Sequence, residues 1–268
     1  MAAPLYLRWM VEETDITLSD GTNIPCYRID HTKDEDVLNE WAVHLRRHYI
    51  SDELLSISVR DLGVSIAEYL EEHAIPGKRD PLACACRSGD FSEILVSDLL
   101  EFILQYRVPR IKQENRPNKD RSTQGTDVIG YKMCRSDGVP STGDELIAAE
   151  VKGVLSTGTF DVLKKAADHS QKDEFRLGTT LDYYRIKCYK DNKQDEACII
   201  ARFQKKSEIQ YKLSYAGIGV TSIGEIDDGK ITQYNRDDLL LDTGHSIYLL
   251  HGDKLMDLAH DLYERCKQ

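Results

Sequence analysis

Apolar positions along the chain switch between a period of two and a helical period, and the switches divide it into elements. Leu5 to Val11 and Asn23 to Ile29 read as strands joined across the turn residues Asp20-Gly21. From Asp34 to Tyr49, Val37, Leu38, Trp41, Ala42 and Leu45 fall at helical spacing. A second helix carries Leu62, Val64, Ile66, Ala67 and Leu70, and Ile75-Pro76-Gly77 stops it before the charged Lys78-Arg79-Asp80-Pro81. The change of pattern near residue 80 suggests a smaller N-terminal α+β region over 1–80 and a main domain over 81–268.

The next segment places Phe91, Ile94, Leu95, Leu99, Phe102 and Ile103 on one stripe, which predicts a helix with a broad buried face and Asp90 as its N-cap. Two strands, Asp127 to Met133 and Leu146 to Val151, are expected side by side, separated by Asp137-Gly138, Pro140 and Gly143. A polar helix from about Phe160 to Phe175 and another around Leu181 to Tyr189 follow. Strands are then expected over Ala197 to Phe203, Tyr215 to Ile223 and Ser246 to Leu250. Leu255, Leu258, Ala259 and Leu262 predict a closing helix over Lys254 to Cys266 that packs on a sheet face. The fold class expected is mixed α/β, a central sheet flanked by helices.

Composition supports a folded chain: 41% of the 268 residues are hydrophobic, and charges are mixed rather than blocked. The net charge of −11 excludes a protein that coats itself in nucleic acid, because Lys and Arg supply most non-specific phosphate binding. Any such contact must be local. The candidate is 106–121, where Arg107, Arg110, Lys112, Arg116, Lys119 and Arg121 outnumber Glu114 and Asp120; a solvated hairpin is the alternative. Seven cysteines without CxxC spacing read as reduced thiols, with Cys84 and Cys86 as packing residues. The start lacks the features of a signal peptide and no stretch reads as a membrane span, so the expected compartment is the cytoplasm.

Candidate chemistry lies in Glu93, Gly125-Thr126-Asp127 and Glu150-Val151-Lys152, each in a different element. Side chains alternate along a strand, so Glu150 and Lys152 point the same way, about 6–7 Å apart. The apolar run Leu146-Ile147-Ala148-Ala149 suggests an interior strand, where a carboxylate and an ammonium are costly unless paired or bound to an ion. If the two strands pair, Asp127 lies near Glu150, and a divalent cation relieves the repulsion. Each residue has a structural competitor. Asp90-Phe91-Ser92-Glu93 fits a capping box, Gly-x-Asp commonly ends a turn, and ExK on a surface strand is commonly a solvated ion pair. Gln171 could position water or phosphate, though a surface place suits it better, and His169 is assigned nothing.

This order of residues resembles the PD-(D/E)xK nuclease superfamily, with Glu93 as the helix acid, Asp127 as the strand Asp and Glu150-Val151-Lys152 as the ExK strand; Gly-Thr replaces the Pro before the Asp. Over nearly the whole chain, the order and the "GTD … EVKG" core are similar to the HamA family, the nuclease subunits of Hachiman anti-phage defence. The resemblance implies a restriction-endonuclease-like mixed sheet and a Mg²⁺ ion, with Mn²⁺ as the alternative, held by Asp127, Glu150, Glu93 and the Val151 carbonyl. It implies that Lys152 orients water or stabilises the phosphorane, that the substrate is DNA, and that a superfamily 2 helicase (HamB-type) restrains the nuclease until invading or damaged DNA is sensed. The rival expectations are a stand-alone restriction- or repair-type endonuclease and a non-catalytic scaffold.

Overall fold

The computed structural model describes residues 3–156, 161–205, 208–222, 228–241 and 244–268. A turn of 3-10 helix over Leu5–Trp9 precedes β1 (Met10–Glu12), so the strand expected from Leu5 forms only at its end. Tyr6 and Trp9, three residues apart, are both buried, and Tyr6 stacks on Trp41 with ring centroids 3.7 Å apart. Here a helical turn buries what alternation could not. β2 (Ile16–Thr17) and β3 (Asn23–Ile24) form a small antiparallel sheet. Pro25, which has no N–H to add to a ladder, divides β3 from β4 (Cys26–Ile29).

α1 (Glu35–Arg47) is capped by the Asp34 carboxylate, which accepts from the Val37 amide. α2 (Asp52–Leu62) is capped by Ser51, and α3 (Ile66–Tyr69) by a Ser65/Glu68 capping box. The single helix expected through Leu62 and Leu70 is broken because Gly63 adopts φ +67°, a left-handed helix end. A second correction concerns α4 (Pro81–Asp98), which starts nine residues before Asp90. Its N-cap is Asp80, bonded to the amides of Leu82 and Ala83, with Pro81 in the first turn where a missing N–H costs nothing. Asp90 is therefore inside the helix, buried, and Glu93 is no capping residue.

β5 (Val128–Lys132) and β6 (Glu145–Val154) follow, then α5 (Val162–Ser170), α6 (Asp173–Lys190) and α7 (Gln194–Gln204). The strand expected over Ala197 to Phe203 is thus helical. Ala197, Ile200 and Phe203 recur every third residue on the buried face, and Asp195 and Glu196 suit the positive end of a helix. β7 (Lys212–Ser222), α8 (Asp228–Ile231), β8 (His245–Gly252) and α9 (Leu255–Arg265) complete the chain. Phe160 and Ile223, expected element ends, lie outside the described residues.

Six strands form one mixed sheet in the order β1-β4-β8-β7-β6-β5, parallel from β4 to β6 and antiparallel at both edges. Strands from either side of residue 80 share it. Ile147, Ala149 and Val151 of β6 join the cluster with α1, α4 and α9. On the opposite face, Leu146 and Ala148 pack with α6 and α7, while α5 lies over β7 and β8. Gly217 and Gly219 let α5 approach the sheet: a Cβ on Gly217 would stand 2.8 Å from the Ala166 backbone. Among the described residues no helix is long and apolar enough to cross a membrane.

The basic segment is neither a solvated hairpin nor an open phosphate track, because it runs along α4 and pairs with that helix's acids. Arg110 bonds Asp98 and Glu101, Lys112 bonds Glu93, and Arg116 bonds Asp90. Arg107 pairs with Glu196 and Lys119 with Asp120. Arg110 also donates to Nε2 of buried His48, whose Nδ1 bonds the His44 carbonyl, so His48 is the neutral Nδ1–H tautomer. The Asp98 carboxylate beside it accepts from Tyr6 and His44 as well. Arg110 supplies a fixed cation there, which leaves the His44, His48 and Asp98 cluster no need for a metal.

Two outcomes follow from this packing. Gly217→Ala forces α5 off the sheet, and denaturant unfolding should record a loss of about 1–3 kcal/mol; an unchanged midpoint would show that the close approach carries no strain. Burial, with Arg110 adding to it, holds His48 down at about 3 against its ordinary 6.5. The unfolded chain binds this proton first, so stability is lost as pH falls from about 6.5 towards about 3. Between pH 6.5 and 5, wild type should lose about 2 kcal/mol more than His48→Gln, and parallel loss in both would exclude His48 as the source.

Candidate active site

β5 and β6 pair with Val128 opposite Ala149, so Asp127, one residue before β5, faces Glu150 across the pair. Both side chains lie on the face covered by α5 and α6, the parity of Ala148 and Ile129. Asp127 Oδ2 accepts the Val151 amide at 2.9 Å, which satisfies a strand N–H where β5 has ended. Asp127 Oδ1 accepts from Lys112 Nζ at 2.5 Å. Lys152, on the same face of β6 as Glu150, donates to Glu150 Oε1 at 2.5 Å and lies 3.4 Å from the Val151 carbonyl.

Glu93 reaches this group from α4, on the other side of the sheet, and touches it through Lys112. Its Oε1 accepts from Lys112 at 2.9 Å and its Oε2 from Gln113 at 2.7 Å. One ammonium thus serves two carboxylates, and they do not share it equally. Burial would raise Asp127, but the charge of Lys112, its hydrogen bond and the Val151 amide outweigh that, so Asp127 lies below its ordinary value. Burial pushes Glu93 up to about 8 against the pull of Lys112, with the charges of Asp127 and Asp90 adding to the rise. Asp127 is therefore the ionised partner, and Lys112 is held charged between them.

The structure adds residues that the sequence pattern does not single out. Asp173 opens α6 and is fully buried, and burial followed by the charge of Glu150 pushes it up to about 7. Neither of its oxygens makes a hydrogen bond among the described residues; the Thr126 hydroxyl is close enough to act on it but lacks the geometry. Glu150 Oε2 is likewise buried without a donor. His169 Nδ1 stands 3.4 Å from Glu150 Oε1 and Arg176 Nη1 3.7 Å from Oε2. Both are partly exposed and rim the cluster. Gln171 is exposed at the end of α5.

Asp173 was hidden because the stretch from about Phe160 to Phe175 reads as one helix, whereas α5 ends at Ser170 and a new helix begins at Asp173. The helix start is the signal: Asp173-Glu174 is the acidic first turn favoured there. Lys112 was hidden in a segment whose charge suggested solvent.

Hard carboxylate oxygens, three of them buried without donors, fit a small divalent cation of the Mg²⁺ or Mn²⁺ type, which takes oxygen ligands. Glu150 and Asp173 have oxygens ready for it, Asp127 and the Val151 carbonyl border the same space, and both Glu93 oxygens are engaged by protein donors.

No curated protein matches the chain. A family profile described as HamA matches residues 4–266. Nearly the whole length is covered, and the chain belongs to the HamA family, that of Hachiman anti-phage defence.

Proposed function

We propose that this chain is a Mg²⁺-dependent deoxyribonuclease of the PD-(D/E)xK kind, able to use Mn²⁺, that acts on DNA with a superfamily 2 helicase partner. The observation that carries the reading is the convergence of Asp127 and Glu150 across paired strands, with Lys152 on the same strand face as Glu150. Asp127, Glu150 and the Val151 carbonyl would hold the cation, with Glu93 acting through Lys112. When bound, the cation supplies charge stabilisation to the phosphodiester and acidifies water. Lys152 is the residue placed to orient the attacking water and to donate to the developing phosphorane oxygen. A 21% exposed side chain lets its ammonium reach a substrate while Glu150 holds it in place. His169 and Arg176 stand at the rim, where they can take a phosphate of the same strand.

The partner reading is supported by the placement of charge. The chain carries −11, and Arg110, Lys112 and Arg116 of its most basic segment are buried in ion pairs. A nuclease built this way takes its substrate from a protein that already grips DNA.

Plasmid degradation by the helicase complex should require Mg²⁺ or Mn²⁺ and stop in EDTA. Lys152→Ala should lower it by about 10²–10³-fold while leaving the circular dichroism spectrum unchanged; full activity in that variant would remove the lysine from the chemistry. The isolated chain should bind duplex weakly at physiological salt, and tight binding without a partner, measured by anisotropy, would remove the case for delivery.

A further inference from the structure

We propose that Asp173 is a direct ligand of a divalent cation shared with Glu150, which places the cation beside the start of α6. This inference rests on the cation-dependent reading above and deepens it by assigning a ligand outside the ExK pattern.

The geometry comes from three elements. β6 presents Glu150 on the α6 face of the sheet, and its Oε2 is buried without a donor while Oε1 is bonded to Lys152. Asp173, Arg176 and Thr180 recur along α6 at helical spacing and share one face. That face is fixed against the site at two further points. The Thr180 hydroxyl accepts the Thr126 amide at 3.1 Å, next to Asp127, and Arg176 reaches Glu150. Asp173, on this face with two oxygens of its own and no exposure to solvent, is near enough to Glu150 to feel its charge.

Glu150 is ion-paired through Lys152, but its Oε2 and both Asp173 oxygens are buried without a well-formed hydrogen bond, and buried polar atoms left so are expensive in a folded protein. Elsewhere in this chain such acids have donors: Asp90 has Arg116 and Tyr49, Asp98 has Arg110, Tyr6 and His44, and Asp144 has Arg202 with the amides of Cys134 and Ser141. Glu150 and Asp173 depart from that practice together, and the charge of one acts on the other. A hard cation between them would satisfy the oxygens that Thr126 and Arg176 approach without forming a full hydrogen bond, and carboxylate oxygens are the ligands Mg²⁺ and Mn²⁺ prefer. Asp127 accepts from Lys112 and from the Val151 amide, and each of its oxygens keeps a second lone pair with which it would join the same cation.

The test measures cation binding directly, with Mn²⁺ as the probe and the free-ion signal in electron paramagnetic resonance as the readout. The full-length chain is stripped with EDTA and titrated as wild type, Asp173→Asn, Asp173→Ser and Glu174→Gln. Loss of an outer partner of a metal site already costs about 10–100-fold in affinity, so loss of a direct ligand should weaken Mn²⁺ binding at least about tenfold in both Asp173 variants. Glu174→Gln removes an exposed charge one residue away and should bind as wild type does. In EDTA, Asp173→Asn should melt no lower than wild type, and Mn²⁺ should raise the melting temperature of wild type more than that of the variant.

Unchanged Mn²⁺ affinity in both Asp173 variants, or an equal loss in Glu174→Gln, overturns the assignment and leaves the nuclease reading in place. If both Asp173 variants lose the fold in EDTA, the carboxylate is a structural group and the assignment is again overturned. Wild type that binds no Mn²⁺ overturns both this assignment and the cation-dependent chemistry.

Discussion

The ion pairs between α4 and the segment that crosses it hold the rest of the structure in place. Three acids of α4, Asp90, Glu93 and Asp98, and Glu101 in the π-helical turn that continues it over Leu99–Ile103, meet three cations arriving in reverse order, Arg116, Lys112 and Arg110. Buried pairs of this kind add little net stability compared with apolar packing, but removing one partner strands a charge at a cost of about 3–5 kcal/mol. Their effect is therefore on specificity. The segment from Arg107 to Arg121 has almost no regular structure, and the ladder fixes its path so that Asp127, just before β5, comes opposite Glu150.

Lys112 connects this scaffold to the site, and the connection explains the uneven charge among the acids. One ammonium cannot neutralise both Glu93 and Asp127, so the more deeply placed Glu93 is driven towards its neutral form. On the α6 side no cation is buried with Asp173, and it too is driven up. A fold that satisfies its other buried acids and leaves these under tension departs from local consistency where function would require it.

Much of the site was legible from residues alone. Asp127 and Glu150-Val151-Lys152 could be read because a strand start and an interior strand have strong signatures, and antiparallel pairing of neighbouring strands brings their ends together. Glu93 was legible as the helix acid that the family resemblance implies, with a capping box as its competitor, but not its attachment to Lys112, since the helix start was sought at Asp90 rather than at Asp80-Pro81. Ala197 to Phe203 carries β-branched and aromatic residues that suit a strand, and packing against α6 overrides that preference. The basic segment misled for a general reason: sequence gives the sign of a charge but not what lies opposite it.

β4, at residues 26–29, lies parallel to β8, at residues 245–252, so one of the earliest strands made on the ribosome is completed by the latest. Until that partner emerges, the β4 edge is open and the N-terminal helices have only part of their floor. Such long-range pairing slows folding. A chain without β8 would lose the strand that lies between β4 and β7, and with it the link that makes one sheet of the two halves.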